Sequence, residues 1–165
     1  MNYYTDTLMY AVDTNNELHW LATKTFDDIG CAYRSEVWTK GNYYTVYSGI
    51  DDGDEDTEVD GQKIELPDNE DWERMLNGGH SPIAENLLTI SGLSHADIAA
   101  IITVRIYSVS AHPTSYYAEL IRPSGVDILE GDVDELLPKC HTSNISIQKV
   151  AKAVTTKFLR NVQQS

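Results

Sequence analysis

Short apolar and aromatic runs separated by polar turns indicate antiparallel strands in the first third of the chain. Residues 8–12 and 18–22 are rich in apolar and aromatic side chains, and turn-forming residues separate them at 13–16. This arrangement predicts an N-terminal β-hairpin, because two strand-like segments joined by a short polar turn tend to pair. Residues 43–47 contain three tyrosines and a valine, which predicts a further strand.

Helix-start signals follow at three places. Thr25 with Asp28 three residues later predicts a short helix, because a hydroxyl and an acid at this spacing can accept hydrogen bonds from free amides. Residues 68–76 carry acids near their start and an Asn-Gly-Gly stop after their end, which predicts a second helix. Ser81 followed by Pro82 predicts the start of a third helix.

The second half of the chain has a similar mixture of elements. Ser94 and Asp97 predict a short helix that ends near residue 100. Strands are predicted at 103–109 and 116–121, with a turn at 110–115 between them, and one more strand follows at 126–129.

The C-terminal segment, residues 146–162, has the clearest helical periodicity. Its apolar residues share one side of the helix: Ile147, Val150, Ala151, Val154, Phe158 and Val162. Its basic residues lie opposite: Lys149, Lys152, Lys157 and Arg160. Hairpins and helices without a regular βαβ alternation predict an α+β fold. We expect one domain over 1–165, built from antiparallel β-hairpins, several short helices and a C-terminal amphipathic helix.

The composition is that of an ordinary folded domain. The chain has 165 residues, of which 41% are hydrophobic and 23% are charged, and these values argue against disorder. Cys31 and Cys140 form no CxxC pair, so we expect reduced thiols in a cytoplasmic protein. No signal-peptide pattern and no apolar run long enough to span a membrane are present in the sequence.

The charge is concentrated in one part of the chain. The formal net charge is −14, and residues 51–73 alone contribute −11, since they hold twelve acids and one base, Lys63. We name residues 51–73 the acidic segment and predict that it forms a loop, a small hairpin and a helix. Its acids are Asp51, Asp52, Asp54, Glu55, Asp56, Glu58, Asp60, Glu65, Asp68, Glu70, Asp71 and Glu73.

A second, smaller acidic cluster and a basic tail follow. The second cluster consists of Asp127, Glu130, Asp132, Asp134 and Glu135. No acid follows Glu135, and five bases give the tail a charge of +5. Four bases on one helix are too few to indicate a nucleic-acid surface on a chain with a net charge of −14, so we expect no direct nucleic-acid binding.

The acidic segment has two interpretations. It is either a solvated stretch that keeps the protein soluble or a binding surface, because dense like charges repel one another and a basic partner relieves that repulsion. Duplex DNA carries one charge per about 1.7 Å, a spacing that carboxylates on a strand, turn and helix can approximate. We predict a non-enzymatic binding protein that inhibits or sequesters a basic, nucleic-acid-binding partner, as phage and mobile-element nucleic-acid mimics do. The predicted contact residues are the twelve acids and Tyr47; no cofactor is expected.

Two other functions are compatible with the same charges. An immunity or antitoxin protein that caps a basic toxin relies on the same electrostatics. A small metal-dependent enzyme could use the carboxylates of residues 51–60. A calcium loop is only partly matched, since residues 56–61 fit its opening but Pro67 stands where the bidentate Glu belongs.

Catalytic and DNA-binding motifs are incomplete. His112-Pro113-Thr114 matches half of the paired His-x-Thr motifs of two-histidine phosphoesterases, and a second tripeptide is missing. Residues 91–101 resemble the first helix of a helix-turn-helix module, but residues 102–107 then continue as a strand. No nucleophile elbow or phosphate-binding glycine loop is present in the sequence, so we predict no catalytic residue.

Overall fold

Seven antiparallel strands form the main sheet of the computed structural model. The structure describes residues 3–29, 32–39, 42–49, 58–59, 62–63, 66–110, 112–137 and 146–163. The strands of the main sheet are β1 (Tyr3–Asp13), β2 (Leu18–Ile29), β3 (Ala32–Thr39), β4 (Asn42–Gly49), β7 (Ile98–Val109), β8 (His112–Arg122) and β9 (Gly125–Asp132). A separate two-stranded hairpin consists of β5 (Glu58–Val59) and β6 (Gln62–Lys63).

The main sheet consists of two meanders joined side by side. Its strand order is β4-β3-β2-β1-β7-β8-β9, and every neighbouring pair is antiparallel. Consecutive strands therefore pair within β1–β4 and within β7–β9. The two meanders meet where β1 pairs with β7, from Tyr3 opposite Val109 to Asp13 opposite Ile98.

Helices cover both faces of the sheet. They are α1 (Asn69–Leu76), α2 (Pro82–Ile90), the short α3 (Val133–Leu136) and α4 (Ile147–Gln163), with one 3₁₀ turn at His95–Asp97. Side chains alternate between faces along each strand, so Val104 and Ile106 of β7 face α4, whereas Ile101 faces α1 and α2. We call these two sides the α4 face and the α1–α2 face.

Each face has its own hydrophobic core. On the α4 face, the buried helical residues are Val133, Val150, Ala151, Val154 and Phe158. On the α1–α2 face, they are Trp72, Met75, Ala84, Leu87 and Leu88. Leu21 is an extra residue in β2, because Met9 pairs with Ala22 and Tyr10 pairs with Trp20. This bulge lets Leu21 and Ala22 both join the core of the α1–α2 face.

The α+β prediction is confirmed, including the N-terminal hairpin and the C-terminal amphipathic helix. The predicted starts of α1 and α2 are also correct. Asp68 accepts a hydrogen bond from the backbone N–H of Asp71 at 2.9 Å, and Ser81 Oγ accepts one from the N–H of Ala84 at 3.3 Å. Pro82 stands at the beginning of α2, where its missing N–H leaves no intrahelical bond unmade.

The helix predicted from Thr25 and Asp28 is wrong, because both residues belong to β2. Thr25 lies opposite Asp6 of β1, and its hydroxyl donates a 2.6 Å hydrogen bond to Asp6 Oδ1 instead of accepting one from a helix amide. Burial raises the pKa of Asp6, and this hydrogen bond opposes the shift. Pairing with β1 and β3 therefore outweighs the local helix-start signal.

The segment that resembles the first helix of a helix-turn-helix module has a different structure. Only His95–Asp97 forms a 3₁₀ turn, and β7 begins at Ile98. The apolar run of residues 98–104 enters the centre of the sheet as a strand, so the short helix predicted up to residue 100 is wrong. The predicted turn at 110–115 is also shorter than expected, since β8 begins at His112.

Candidate functional site

A polar cleft of about 770 Å³ lies on the α1–α2 face, beside the start of α1. Strands β1, β2, β7 and β8 form its floor, and residues 66–69 form one wall. Its lining residues are Thr7, Met9, Lys24, Leu66, Pro67, Asp68, Asn69, Thr103, Arg105, Tyr107, Tyr117 and Glu119. The cleft volume lies within the range of small-molecule sites, about 300–1,000 Å³.

Register pairing arranges the floor of the cleft in rows. Lys24 lies opposite Thr7, Thr7 opposite Arg105, and Arg105 opposite Tyr117. Directly opposed residues of antiparallel strands point to the same face, so one row carries two cations with a threonine between them. The adjacent row places Thr103 opposite Glu119.

Glu119 is held by two donors. Asn69 Nδ2 donates to Glu119 Oε2, and the Tyr117 hydroxyl donates to Glu119 Oε1 at 2.9 Å. The pKa of Tyr117 is raised, first because its hydroxyl donates to Glu119 and then through desolvation and the negative charges of Glu119 and Glu130. The positive charge of Arg105 acts in the opposite direction. This corner of the cleft is therefore a fixed hydrogen-bonded network.

Helix α1 carries the described part of the acidic segment on a rigid support. Asp68 and Asp71 form a reciprocal capping box, and Trp72 and Met75 are buried beneath the helix. Asp71 also accepts a 3.3 Å hydrogen bond from the Ser81 hydroxyl, so both oxygens of its carboxylate accept hydrogen bonds within the protein. Of the four predicted contact acids in this region, Asp68 and Glu70 are exposed, and Asp71 and Glu73 are half-buried.

The structure places two residues of the second acidic cluster on the α1–α2 face, against which α1 packs. In β9, Glu130 lies opposite Tyr117 and Asp132 lies opposite Ser115, so both carboxylates belong to the α1–α2 face. Asn69 contacts Glu119 in the neighbouring strand, β8. We define the acidic face by five carboxylates that share this side of the sheet: Asp68, Glu70, Glu119, Glu130 and Asp132.

Most predicted contact residues lie outside the described structure. This applies to Asp51, Asp52, Asp54, Glu55, Asp56, Asp60 and Glu65. Glu58 lies in β5 and Tyr47 in β4, where only the backbone is described. The predicted hairpin is confirmed at Glu58–Val59 and Gln62–Lys63. The carboxylates of the alternative metal site at 51–60, and both cysteines, also fall outside the residues whose side chains are described.

Another titratable cluster was not predicted from the sequence. Donor atoms of Asp13, Glu17 and His19 lie within 4.8 Å of one another at the β1–β2 turn, a set that could hold a divalent cation. His19 Nε2 donates to Asp13 Oδ2 at 2.8 Å, and the N–H groups of Asn15 and Glu17 donate to Asp13 Oδ1 at 2.9 Å each. The hydrogen bond with His19, followed by that of the Glu17 N–H, lowers the pKa of Asp13. These hydrogen bonds stabilise the β1–β2 turn, and this structural role explains why the three side chains lie close together.

The α4 face has different chemistry. The bases of α4 that the sequence placed on its outer side, Lys149, Lys152, Lys157 and Arg160, are all exposed. A groove of about 470 Å³ lies between the sheet and the first turn of α4, and Trp20, Trp38 and Ile147 contribute to its lining. No charged side chain lines this groove in the described part of the chain. The described charged residues that line a cleft therefore lie on the other side of the sheet, whereas the buried carboxylate of Asp6 lies on the α4 face.

No protein-family model, curated protein or solved structure matches the chain. Among the described residues, no helix is both long enough and apolar enough to cross a bilayer.

Sequence reasoning missed the cleft because its residues come from four strands. Lys24, Arg105 and Glu119 stand in no motif and are far apart along the chain. One signal was available: Thr103 and Arg105 are polar residues at alternate positions within a strand that is otherwise apolar. Such a pattern in a central strand indicates an uncovered patch on one face of the sheet.

Proposed function

We propose that this protein is a non-enzymatic, acidic binding protein that sequesters a basic, nucleic-acid-binding partner by mimicking the charge of a nucleic acid. The acidic segment supplies −11 of the net charge of −14, so the negative charge is concentrated in one stretch of the sequence. A strongly one-sided field steers an oppositely charged partner toward one surface and accelerates association.

The observation that carries the proposal is the contact between Asn69 and Glu119. It attaches the acidic segment at Asn69 to β8, and β8 pairs directly with β9, which carries Glu130 and Asp132 of the second acidic cluster on the same face. Two acidic regions that are distant in the sequence thereby contribute to one acidic face. A basic cleft that accommodates a charged polymer requires such an extended row of charges rather than a single loop.

Rigidity of the support also favours binding. The capping box and the burial of Trp72 fix the position of α1, and Glu130 and Asp132 stand on a strand that is paired along its whole length. Charges on fixed elements lose little conformational freedom when a partner binds, so less of the interaction energy is spent on ordering.

The test uses two double variants of equal charge. Glu70→Gln with Glu130→Gln neutralises the acidic face, and Glu17→Gln with Asp97→Asn removes the same charge near the β1–β2 turn. Full-length wild-type protein captures partners from a host lysate over a salt series, and the captured protein is identified and purified. Association rates of all three proteins with this partner are then measured at several salt concentrations, with and without competing duplex DNA.

The proposal is supported if the partner binds nucleic acid, if duplex DNA competes for it, and if only the acidic-face variant associates more slowly. Capture that duplex DNA does not displace contradicts mimicry. Equal rates for the two double variants contradict a role for the acidic face.

A further inference from the structure

The cleft on the α1–α2 face carries charges of both signs that are not paired with each other. Lys24 and Arg105 lie on one part of the lining, and Asp68 and Glu119 on another. Among the described residues, neither cation forms a salt bridge or a side-chain hydrogen bond. Among the described residues, the donors to the two carboxylates are all uncharged, namely a backbone N–H, an amide and a phenol.

The floor between these charges holds hydroxyl groups that lack partners. Thr103 is only 9% exposed and lines the cleft, and its hydroxyl forms no hydrogen bond within the described residues. Thr7 lines the cleft between the two cations, and its hydroxyl likewise has no partner in the described part of the chain. Neither hydroxyl oxygen is among the fully buried unpaired polar atoms of the described residues, so both are open to the cleft, where a ligand can supply the hydrogen bond.

The spacing of the cations suits a compact anion. Lys24 and Arg105 stand on strands separated by β1, so their backbones are about 10 Å apart. Their long side chains flank Thr7 on the same face and can approach one group from two sides. The guanidinium of Arg105 can bind a carboxylate with two parallel hydrogen bonds, and the Lys24 ammonium adds a point charge.

We propose that this cleft binds a small zwitterion of the size of an amino acid or short peptide, with its carboxylate at Lys24 and Arg105 and its ammonium at Glu119 and Asp68. This small-molecule site shares Asp68 and Glu119 with the acidic face, but its ligand is a zwitterion and its recognition does not depend on the charge mimicry proposed above.

A zwitterion satisfies all four charges at once, whereas a simple anion would leave both carboxylates without a counter-charge. The net charge of −14 also opposes a ligand that is only anionic, and it does not act on the net charge of a zwitterion, which is zero. The cleft volume of about 770 Å³ has room for more than a single amino acid, and Tyr107 and Tyr117 provide aromatic walls for a ligand side chain.

Three forms of one peptide test the proposal. The probes are Gly-Ala-Gly with free ends, its N-acetylated form and its C-terminal amide, each titrated into full-length protein by calorimetry and by amide NMR shifts. We expect the free peptide to bind and to shift the Thr7 and Thr103 amides. We expect each blocked form to bind at least about tenfold more weakly, since it loses a charged hydrogen-bonded contact.

Protein variants test the carboxylate end and the floor of the cleft. Arg105→Gln removes the cation, and Thr103→Val removes the hydroxyl group while keeping the side-chain shape; both should weaken binding of the free peptide. Lys152→Gln on the exposed side of α4 is the matched control and should bind as wild type does. Amide NMR spectra establish that each variant is folded.

Absence of binding for all three probes overturns the proposal. Equal binding of the N-acetylated and free peptides also overturns it, because the site would then recognise an anion alone. Binding that Arg105→Gln leaves unchanged, in a folded variant, places the peptide elsewhere and is a third contradicting result.

Discussion

Asn69 donates its side-chain amide to Glu119, and this contact fastens the first turn of α1 to strand β8. The two residues are separated by fifty positions in the chain. Glu119 receives a second hydrogen bond from Tyr117, so one carboxylate connects the helix, the sheet and the cleft. The acidic face and the cleft therefore depend on the same contact.

Asn69→Ala should lower the free energy of unfolding by about 1–3 kcal/mol, because a half-buried carboxylate then loses a donor. Asn86→Ala is the matched control, since Asn86 is exposed in α2 and alanine favours the helix there. Urea melts monitored by circular dichroism provide the comparison. Equal midpoints for Asn69→Ala and wild-type protein would show that the contact does not stabilise the fold.

Neutralising the start of the acidic segment should slow association with the basic partner. The variant replaces five acids by the corresponding amides: Asp51, Asp52, Asp54, Glu55 and Asp56. Exposed charges chiefly set the association rate, so the rate should fall and its dependence on salt should become shallower. The free energy of unfolding should stay equal or rise slightly, because repulsion between like charges is reduced. An unchanged rate and salt slope would exclude these five residues from partner recognition.

Phe158→Ala should lower the free energy of unfolding by about 3–5 kcal/mol, since the ring is only 2% exposed in the core under α4. Lys157→Ala, one position earlier, is the control. Lys157 is exposed, and exposed charges contribute roughly 0–1 kcal/mol. Chemical melts of both variants test the difference. Similar losses in the two variants would mean that α4 does not pack on the sheet as described.

Asp6→Asn should stabilise the protein at pH 7, and this gain should shrink as the pH falls toward 4. Burial raises the pKa of Asp6 in the folded state above its ordinary value of 3.8, so the folded protein holds this proton more tightly than the unfolded chain does. The stability contributed by Asp6 is therefore present at low pH and is lost as the pH rises through the raised pKa. Asparagine removes that loss and keeps an acceptor for Thr25.

The measurement is the difference in free energy of unfolding between Asp6→Asn and wild type at pH 7 and pH 4. Asp13→Asn is the control, and it should lower the free energy of unfolding at pH 7, whereas Asp6→Asn should raise it. The hydrogen bond with His19 lowers the pKa of Asp13, so its contribution is present above pH 3.8 and is lost as the pH falls through the lowered value. A gain for Asp6→Asn that is identical at both pH values would be the contrary result.

Local signals predicted α1, α2 and α4 correctly, but they also predicted two helices that are strand or 3₁₀ turn, and they predicted the surfaces poorly. Asp68, Ser81 and the apolar side of α4 act through neighbours within four residues, so their pattern is visible in the sequence. Thr25 carries an equally good local signal, but its partner is Asp6 on another strand. The cleft rests entirely on such distant partners, since Lys24 and Arg105 come together only through the pairing of both strands with β1. The charge map alone predicted an acidic region but not which carboxylates share a face.

The join between β1 and β7 divides the chain into two pieces of largely local topology. The first four strands contact their sequence neighbours, as do the last three, and one ladder in the described sheet connects the two sets. Most strand pairing in the main sheet is therefore local in sequence, and the β1–β7 ladder is its long-range contact. Residues 51–68 of the acidic segment lie in the connection between the pieces, after β4 and before α1. Its length and charge can consequently diverge over evolution without changing any strand pairing of the main sheet, and a cleavage there would leave two fragments able to reassemble through a single ladder.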